Sequence, residues 1–401
     1  MTLVKAPIEP EMSLEQLVEN LQSEILTKKD MVVKSDNLSM KDGIVVIGNY
    51  KDTTNAMLDE AGIQAQTHQL KLNPNSHASI QIAEKFDIPK KYYDKLLAEV
   101  DTRLLDENVT YWMKRANKNF FIRSFINEGE TQGICRALLS ERFGILDNFD
   151  VLIATLEAVK STGINIRIDT ASITETNMYV RFICPDIYQE SKALLENYRS
   201  PRKGNKGSGD DGDFKIYSGF ILSNSEVGMG QFKISARAIV SKCNNGMIFH
   251  NENFKKTHLG ARMDEGFIDW SKNTQQKNYE LIMSQVKDAV NKYCSLDFLG
   301  KKIDELENQN KQVIENPNDC IQNICQSLSL SETKIKDVLS FFIRGEDNSP
   351  FGISNALNNY AYNQSNPDLR FELEATSMSL MGNVKTFDKP YKPTRKIAIM
   401  K

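Results

Sequence analysis

Apolar residues recur at helical spacing from the start of the chain. Leu14, Leu17, Val18, Leu21 and Ile25 fall on one face of residues 13–29, Ser13 stands where an N-cap belongs, and lysines occupy the last turn. Two compact β-branched runs, MVVKS and IVVIGNY, predict short strands. From His77 to Arg115 the spacing turns helical again, and Pro89 predicts a new helix start, since its missing N–H costs nothing in a first turn. NFFIRSFI and GICRALLS read as strands around a loop at residues 127–133. LDNFDVLIATLEAVKSTG reads as a helix capped by Asp147 or Asn148 and closed by Gly163.

INIRIDT, NMYVRFICP and FKIYSGFILSNSE predict further strands. In QFKISARAIVSK the alternation is strict: Phe232, Ile234, Ala236, Ala238 and Val240 share one face, and Lys233, Ser235, Arg237, Ile239 and Ser241 the other. One face is core and the other partly basic. Beyond Trp270 the pattern is helical, with a stripe from Ile282 to Leu306 that breaks near Gly300. Shorter helices are predicted at residues 320–328, 332–344, 355–363 and 371–380, and a tail follows. The fold class expected is α+β: an antiparallel sheet core with packed helices and a helical C-terminal region. The division expected is 1–76 (helix and small strands), 77–269 (α+β core) and 270–401 (helical region and tail). Residues 199–213, RSPRKGNKGSGDDGD, lack apolar side chains and read as a mobile loop within the core.

Composition narrows the class without choosing a function. The 401 residues are 40% hydrophobic and 26% charged with a net charge of −3, so any nucleic-acid surface has to be a local patch on a slightly acidic protein. Six scattered cysteines and no apolar signal core predict a reducing cytoplasm, and no run approaches a membrane span.

The stretch SKCNNGMIF brings Cys243, Asn244, Asn245 and Gly246 together between apolar runs, as a tight hairpin turn requires. A nucleophilic Cys243 would need a base, for which Lys242 and His250 are the candidates, and a metal site at Cys243, His250 and His258 lacks a CxxC or HxxxH pair. No cofactor or metal is expected. The nuclease-like lettering of CPDIYQESK lacks two neighbouring strands to carry it; a strand end followed by a helix start is the reading adopted. GDDGD lacks the alternating ligands of a calcium loop. Around the turn, Lys233, Arg237, Lys242, Lys255, Lys256 and Arg262 face only Glu252, a cluster suited to phosphates or to a solvated surface. Tyr92, Tyr93, Tyr111, Trp112, Phe120 and Phe121 lie beside basic residues, as base-stacking platforms do and as core aromatics also do.

Several segments in order, ASIQIAEKFDIPKKYYDKL, LLDENVTYWMKR, CRALLSERFGILDNFDVLIATL, SGFILSNSEVGMGQFKISARAIVSKCNNGMIF and KKTHLGARMDEG, with FGISNALNNYA more faintly, resemble a phage/plasmid-like protein family of unassigned function. The likeness covers roughly residues 77–290 and extends more weakly to about 382. Phe143 departs from the tyrosine frequent in that family, so no phenolic role is carried over. The resemblance implies a mobile-element protein of a bacterial host cytoplasm and supplies no catalytic residues; its most characteristic text falls at Arg237, Cys243, Asn245, Gly246, His258 and Arg262.

The leading expectation is a DNA-binding accessory of replication and recombination, similar to single-strand annealing proteins and favouring single-stranded DNA. Its phosphate track would comprise Arg237, Lys242, Asn245, Lys255, Lys256, His258 and Arg262, extended by Arg123, Arg136 and Arg142. A homo-oligomer is an open possibility by analogy with annealing rings. The alternatives are a nucleotide- or nucleic-acid-processing enzyme with a pocket near Cys243–His258, and a structural or host-interaction protein docking through the C-terminal helices.

Overall fold

The structure, a computed structural model, describes residues 9–51, 58–59, 62–63, 67–201, 214–241, 246–256, 266–267 and 271–392. The chain begins β1 (Glu9–Met12), α1 (Leu14–Thr27), β2 (Lys28–Lys34), β3 (Leu38–Lys41), β4 (Ile44–Lys51), β5 (Leu58–Asp59), β6 (Gly62–Ile63) and β7 (Thr67–Pro74). Next come α2 (Ser76–Lys85), α3 (Lys90–Leu97), α4 (Arg103–Arg115), β8 (Asn119–Ile126), β9 (Gln132–Ser140) and α5 (Asn148–Thr162). The central strands are β10 (Arg167–Ile173), β11 (Met178–Glu190), β12 (Lys215–Asn224), β13 (Phe232–Val240), β14 (Gly246–Lys256) and β15 (Gly266–Phe267), with the short α6 (Lys192–Leu195) after β11. Six helices follow: α7 (Lys272–Tyr293), α8 (Leu296–Asn310), α9 (Pro317–Ser327), α10 (Glu332–Gly345), α11 (Pro350–Tyr362) and α12 (Pro367–Met381). The fold is α+β.

Local chemistry explains most of these limits. Ser13 and Gln16 form a reciprocal capping box at α1, and Gly163 ends α5 in the left-handed conformation at φ 70°. Asp42 and Gly43, both at positive φ, turn β3 into β4, and Asp106 of α4 accepts from both of their N–H groups. Pro89 is the N-cap of α3 rather than its first helical residue. The long C-terminal stripe breaks at Cys294 and Ser295, where Ser295 caps α8, and not at Gly300, which lies inside α8 against Gln189. β11 runs through CPDIYQE to Glu190 with a register shift between Cys184 and Tyr188, so Asp186 and Glu190 belong to one strand.

Two large sheets carry the fold. The first has the order β1-β10-β11-β12-β13-β14 and is antiparallel throughout. The second has the order β15-β2-β8-β9-β7-β4-β3; it is mixed, because β7 runs parallel to β9. Strands from the first 76 residues therefore pair with β8 and β9 inside one sheet, and no boundary falls at residue 76. Helices α1, α5 and α7 cover the first sheet through Leu17, Leu21, Val151, Leu152, Ile282 and Val286, which pack on Val180, Phe182, Phe220 and Ile234. Helices α2, α3 and α4 cover the second through Ile82, Tyr93, Leu105, Val109 and Met113. A third helical core forms among α9, α10, α11 and α12. Of the polar loop, residues 202–213 lie outside the described residues, as does the tail from 393.

Candidate nucleic-acid interface

The faces of the two sheets turned away from these helices carry arginines that the sequence placed on a phosphate track. They are interior. On β8, Arg123 is completely buried, and its guanidinium grips Asp30 with two hydrogen bonds of 3.0 and 2.7 Å. It also reaches Asp147 at 2.9 Å and the backbone carbonyl of Glu226 at 3.3 Å. Arg136 on β9 is buried against Glu226 at 2.9 Å and Glu24 at 3.7 Å, and Lys28 pairs with Asp147. Arg237 on β13 is 2% exposed and bonds Asp169 at 2.7 Å. Arg123, Arg136 and Arg237 are therefore withdrawn from the nucleic-acid track, for each lies inside the fold beside a carboxylate, where an extended polynucleotide strand has no access.

The remaining predicted residues divide into two groups. Arg142 is exposed after β9, and Lys255 is exposed on β14 opposite the half-buried Lys233, which rests over the Phe371 ring. Burial, and then Lys255, hold the Lys233 ammonium below its ordinary range. Lys256 pairs with Phe232 through the backbone, and its side chain lies outside the described residues, as do Lys242, Cys243, Asn245, His258 and Arg262. The hairpin itself is present, with Ile239 opposite Gly246. Gly246 has a steric reason: a Cβ there would stand 1.8 Å from the Arg237 Nε.

The interior network has its own chemistry. Lys28, Arg123 and Arg136 face the carboxylates of Glu24, Asp30, Asp147 and Glu226, three cations against four anions. The fourth carboxylate is left short of a full partner, and burial first, then Glu226, pushes Glu24 up to about 7, against the pull of Arg136. Folding thus favours the protonated acid, so stability falls as pH climbs from its ordinary value of 4.5 through about 7. Glu24→Gln, which imitates the protonated group, is expected to match the parent at pH 5 and exceed its stability by about 1–3 kcal/mol at pH 8, by urea unfolding. Equal losses in both proteins across that window would show that another group titrates. Of the carboxylates that complete this network, Glu24, Asp30 and Glu226 were not singled out from the sequence, and Asp147 was read there only as a helix cap.

The exposed surface of α4 is the better interface. Leu105, Val109 and Met113 bury one side of the helix, and Thr110 ties it to Met40. Turned outward are Leu104, Tyr111 and Trp112, which are 51%, 53% and 46% exposed. The two rings meet edge to face with centroids 5.1 Å apart, and the Arg115 guanidinium lies 5.2 Å from the Tyr111 ring centre. Lys114 donates to the Asp36 carbonyl and Lys118 sits over Phe120, so neither cation is neutralised by a carboxylate among the described residues. Tyr93, Phe120 and Phe121, read in the sequence as alternative stackers, are core. Tyr92 is 42% exposed on α3. Two large adjacent rings left half in water, one of them under the Arg115 guanidinium, form a patch that folding alone does not call for.

Other chemistry has little purchase among the described residues. The five described cysteines are buried, and burial pushes Cys135, Cys320 and Cys325 up to about 12, away from the thiolate a nucleophile needs. No group of three or more His, Cys, Asp or Glu side chains is placed to hold a metal, and no helix is long and apolar enough to cross a membrane, again among the described residues. No protein-family model, curated protein or solved structure matches the chain.

Proposed function

We propose that the protein binds single-stranded nucleic acid on the outer face of α4, as an accessory of phage or plasmid replication and recombination in a bacterial cytoplasm. The observation that carries the reading is the Tyr111–Trp112 pair, half exposed, with Arg115 over the Tyr111 ring and the exposed Lys114 and Lys118 close by in the chain. Unstacked bases present π-faces that such rings accept regardless of sequence, while the cations track the phosphates. A duplex offers no free base faces, so the surface favours single strands. The ordered family resemblance supplies the biological setting, and the hairpin cations, where Lys255 is exposed, are a secondary contact at most.

Salt dependence tests the reading. Fluorescence polarisation with labelled single-stranded DNA is expected to give log K falling linearly with log salt. Replacing Lys114, Arg115 and Lys118 together with Gln should flatten that slope by ~2, given ~0.7 per phosphate on a single strand. An unchanged slope removes α4 as the track. A protein partner is the competing occupant, favoured by the exposed Leu97, Val100 and Leu104 leading up to the aromatic pair. Association without a salt slope, with DNA silent, would select it.

A further inference from the structure

The polar face of the first sheet has an uncommon composition for an interior. Register places Thr170 opposite Arg181, Arg181 opposite Ile221, and Ile221 opposite Ser235, so these residues form one row across four strands. Helix α12 lies over the row, with Phe371 stacked on Tyr179 at 4.9 Å and Ala375 packed with Ile221 and Ile248. Arg181 and Ser235 are fully buried, and Arg237 is nearly so. Arg181 spends one nitrogen on a long 3.3 Å contact to Glu374, and its Nε and Nη1 have no partner. The Arg237 Nε, Ser235 Oγ and Thr170 Oγ1 are likewise buried and unpartnered.

The placement of the carboxylates, three for three arginines, points the same way. Among the described residues, Glu374 is the one carboxylate at the centre that is fully enclosed, and it answers Arg181, Arg237 and Arg370 together. Asp169 and Glu11, which hold the outer nitrogens of Arg237 and Arg370, are 34% and 45% exposed and look toward solvent. Burial holds the Arg181 guanidinium below its ordinary range despite Glu374, with Arg370 and Arg237 pressing the same way. Asp169, at the register shift between Ile168 and Thr170, is the partly exposed residue next to the row.

We infer that this row is a binding site for a phosphate group, held by Arg181 and Arg237 with the Thr170 and Ser235 hydroxyls under α12. Five unpartnered donor atoms on four residues outnumber the roughly four lone-pair positions of a carboxylate, whereas a phosphate, with more oxygens, can use them all. Gly246 belongs to the device: its bare Cα leaves the space that the Arg237 guanidinium occupies. The site is on the other sheet from α4 and does not depend on the nucleic-acid reading.

Isothermal titration of the full chain with inorganic phosphate, deoxynucleoside monophosphate and acetate tests it. One saturable phosphate site is expected, with thermal stabilisation that follows occupancy. Tighter binding of the nucleotide would identify a phosphomonoester as the source, and equal or tighter binding of inorganic phosphate the free ion. The double variant Thr170→Val/Ser235→Ala removes no charge and should weaken phosphate by ~10-fold or more, while Arg181→Met should abolish binding. If Arg181→Met fails to fold, Gly246→Ala, which displaces the Arg237 guanidinium, takes its place. No phosphate heat at ~10 mM, acetate binding as tightly as phosphate, or an affinity unaltered in the double variant would each overturn the assignment.

Discussion

Arg123→Met is expected to lower the unfolding free energy by about 3–5 kcal/mol, a large share of the stability of most domains. The side chain has no exposed surface and anchors Asp30, Asp147 and Glu226 at once, groups supplied by β2, by the N-cap of α5 and by the loop after β12. Methionine fills much of the volume and satisfies none of those oxygens, so several buried carboxylates lose their counter-charge together. Asp147 responds most sharply, since burial pushes its carboxyl up and Arg123 with Lys28 holds it below its usual range. Urea denaturation should show the midpoint falling at constant m-value, and the loss should be smaller at low pH, where the freed acids protonate. A loss under ~1 kcal/mol with weakened DNA binding would return Arg123 to the surface role first read from the sequence.

That reversal marks where sequence reasoning stops. Elements set by neighbours in the chain were legible: the Ser13 box, the Gly163 stop, the separate helices between His77 and Arg115 and the β13–β14 hairpin all follow from local chemistry. The parallel pairing of β7 with β9 and the pairing of β2 with β8 depend on contacts far apart in the chain, which composition does not encode. The arginines failed for a related reason. A basic residue on a strand reads as solvent-facing by default, yet in NFFIRSFI the positions on both sides of the strand are apolar, and Phe120, Phe121, Ile122 and Phe125 are all buried. A strand covered on both faces leaves an arginine no exit to water, so it must arrive with a carboxylate, and that was the available signal. The partner acids had no such signal, since Glu24 and Glu226 come from different elements and converge only in three dimensions.

The same logic separates the two arginine sets from each other. Around Arg123 and Arg136 the carboxylates outnumber the cations, Glu24 is pushed up to about 7, and one donor, the Arg136 Nε, is left over; around Arg181 and Arg237 enclosed carboxylate is scarce and five donor atoms are left over. The first arrangement joins α1, α5 and the second sheet, which is the work of a structural network. The second has spare hydrogen-bonding capacity, which is what a ligand site requires.

On α4 the decisive variant is Tyr111→Ala/Trp112→Ala, for which single-stranded DNA affinity is expected to fall on the order of 30-fold or more, from ~1–3 kcal/mol per stacked base. Stability should change little, because both rings already stand half in water and the helix is held by Leu105, Val109 and Met113 on its other side. That separation matters, since a core aromatic would lose stability and binding together. Trp112→Phe keeps a stacking face and should retain most of the affinity, whereas a role for the indole N–H would make it as damaging as alanine. Salt slope gives the final discrimination. Removing rings leaves the phosphate contacts of Lys114, Arg115 and Lys118 in place, so the double variant should bind more weakly at every ionic strength with the slope preserved. If affinity is untouched when both rings are gone, bases do not meet this helix, and the exposed stripe from Leu104 to Trp112 is left as a docking face for a protein.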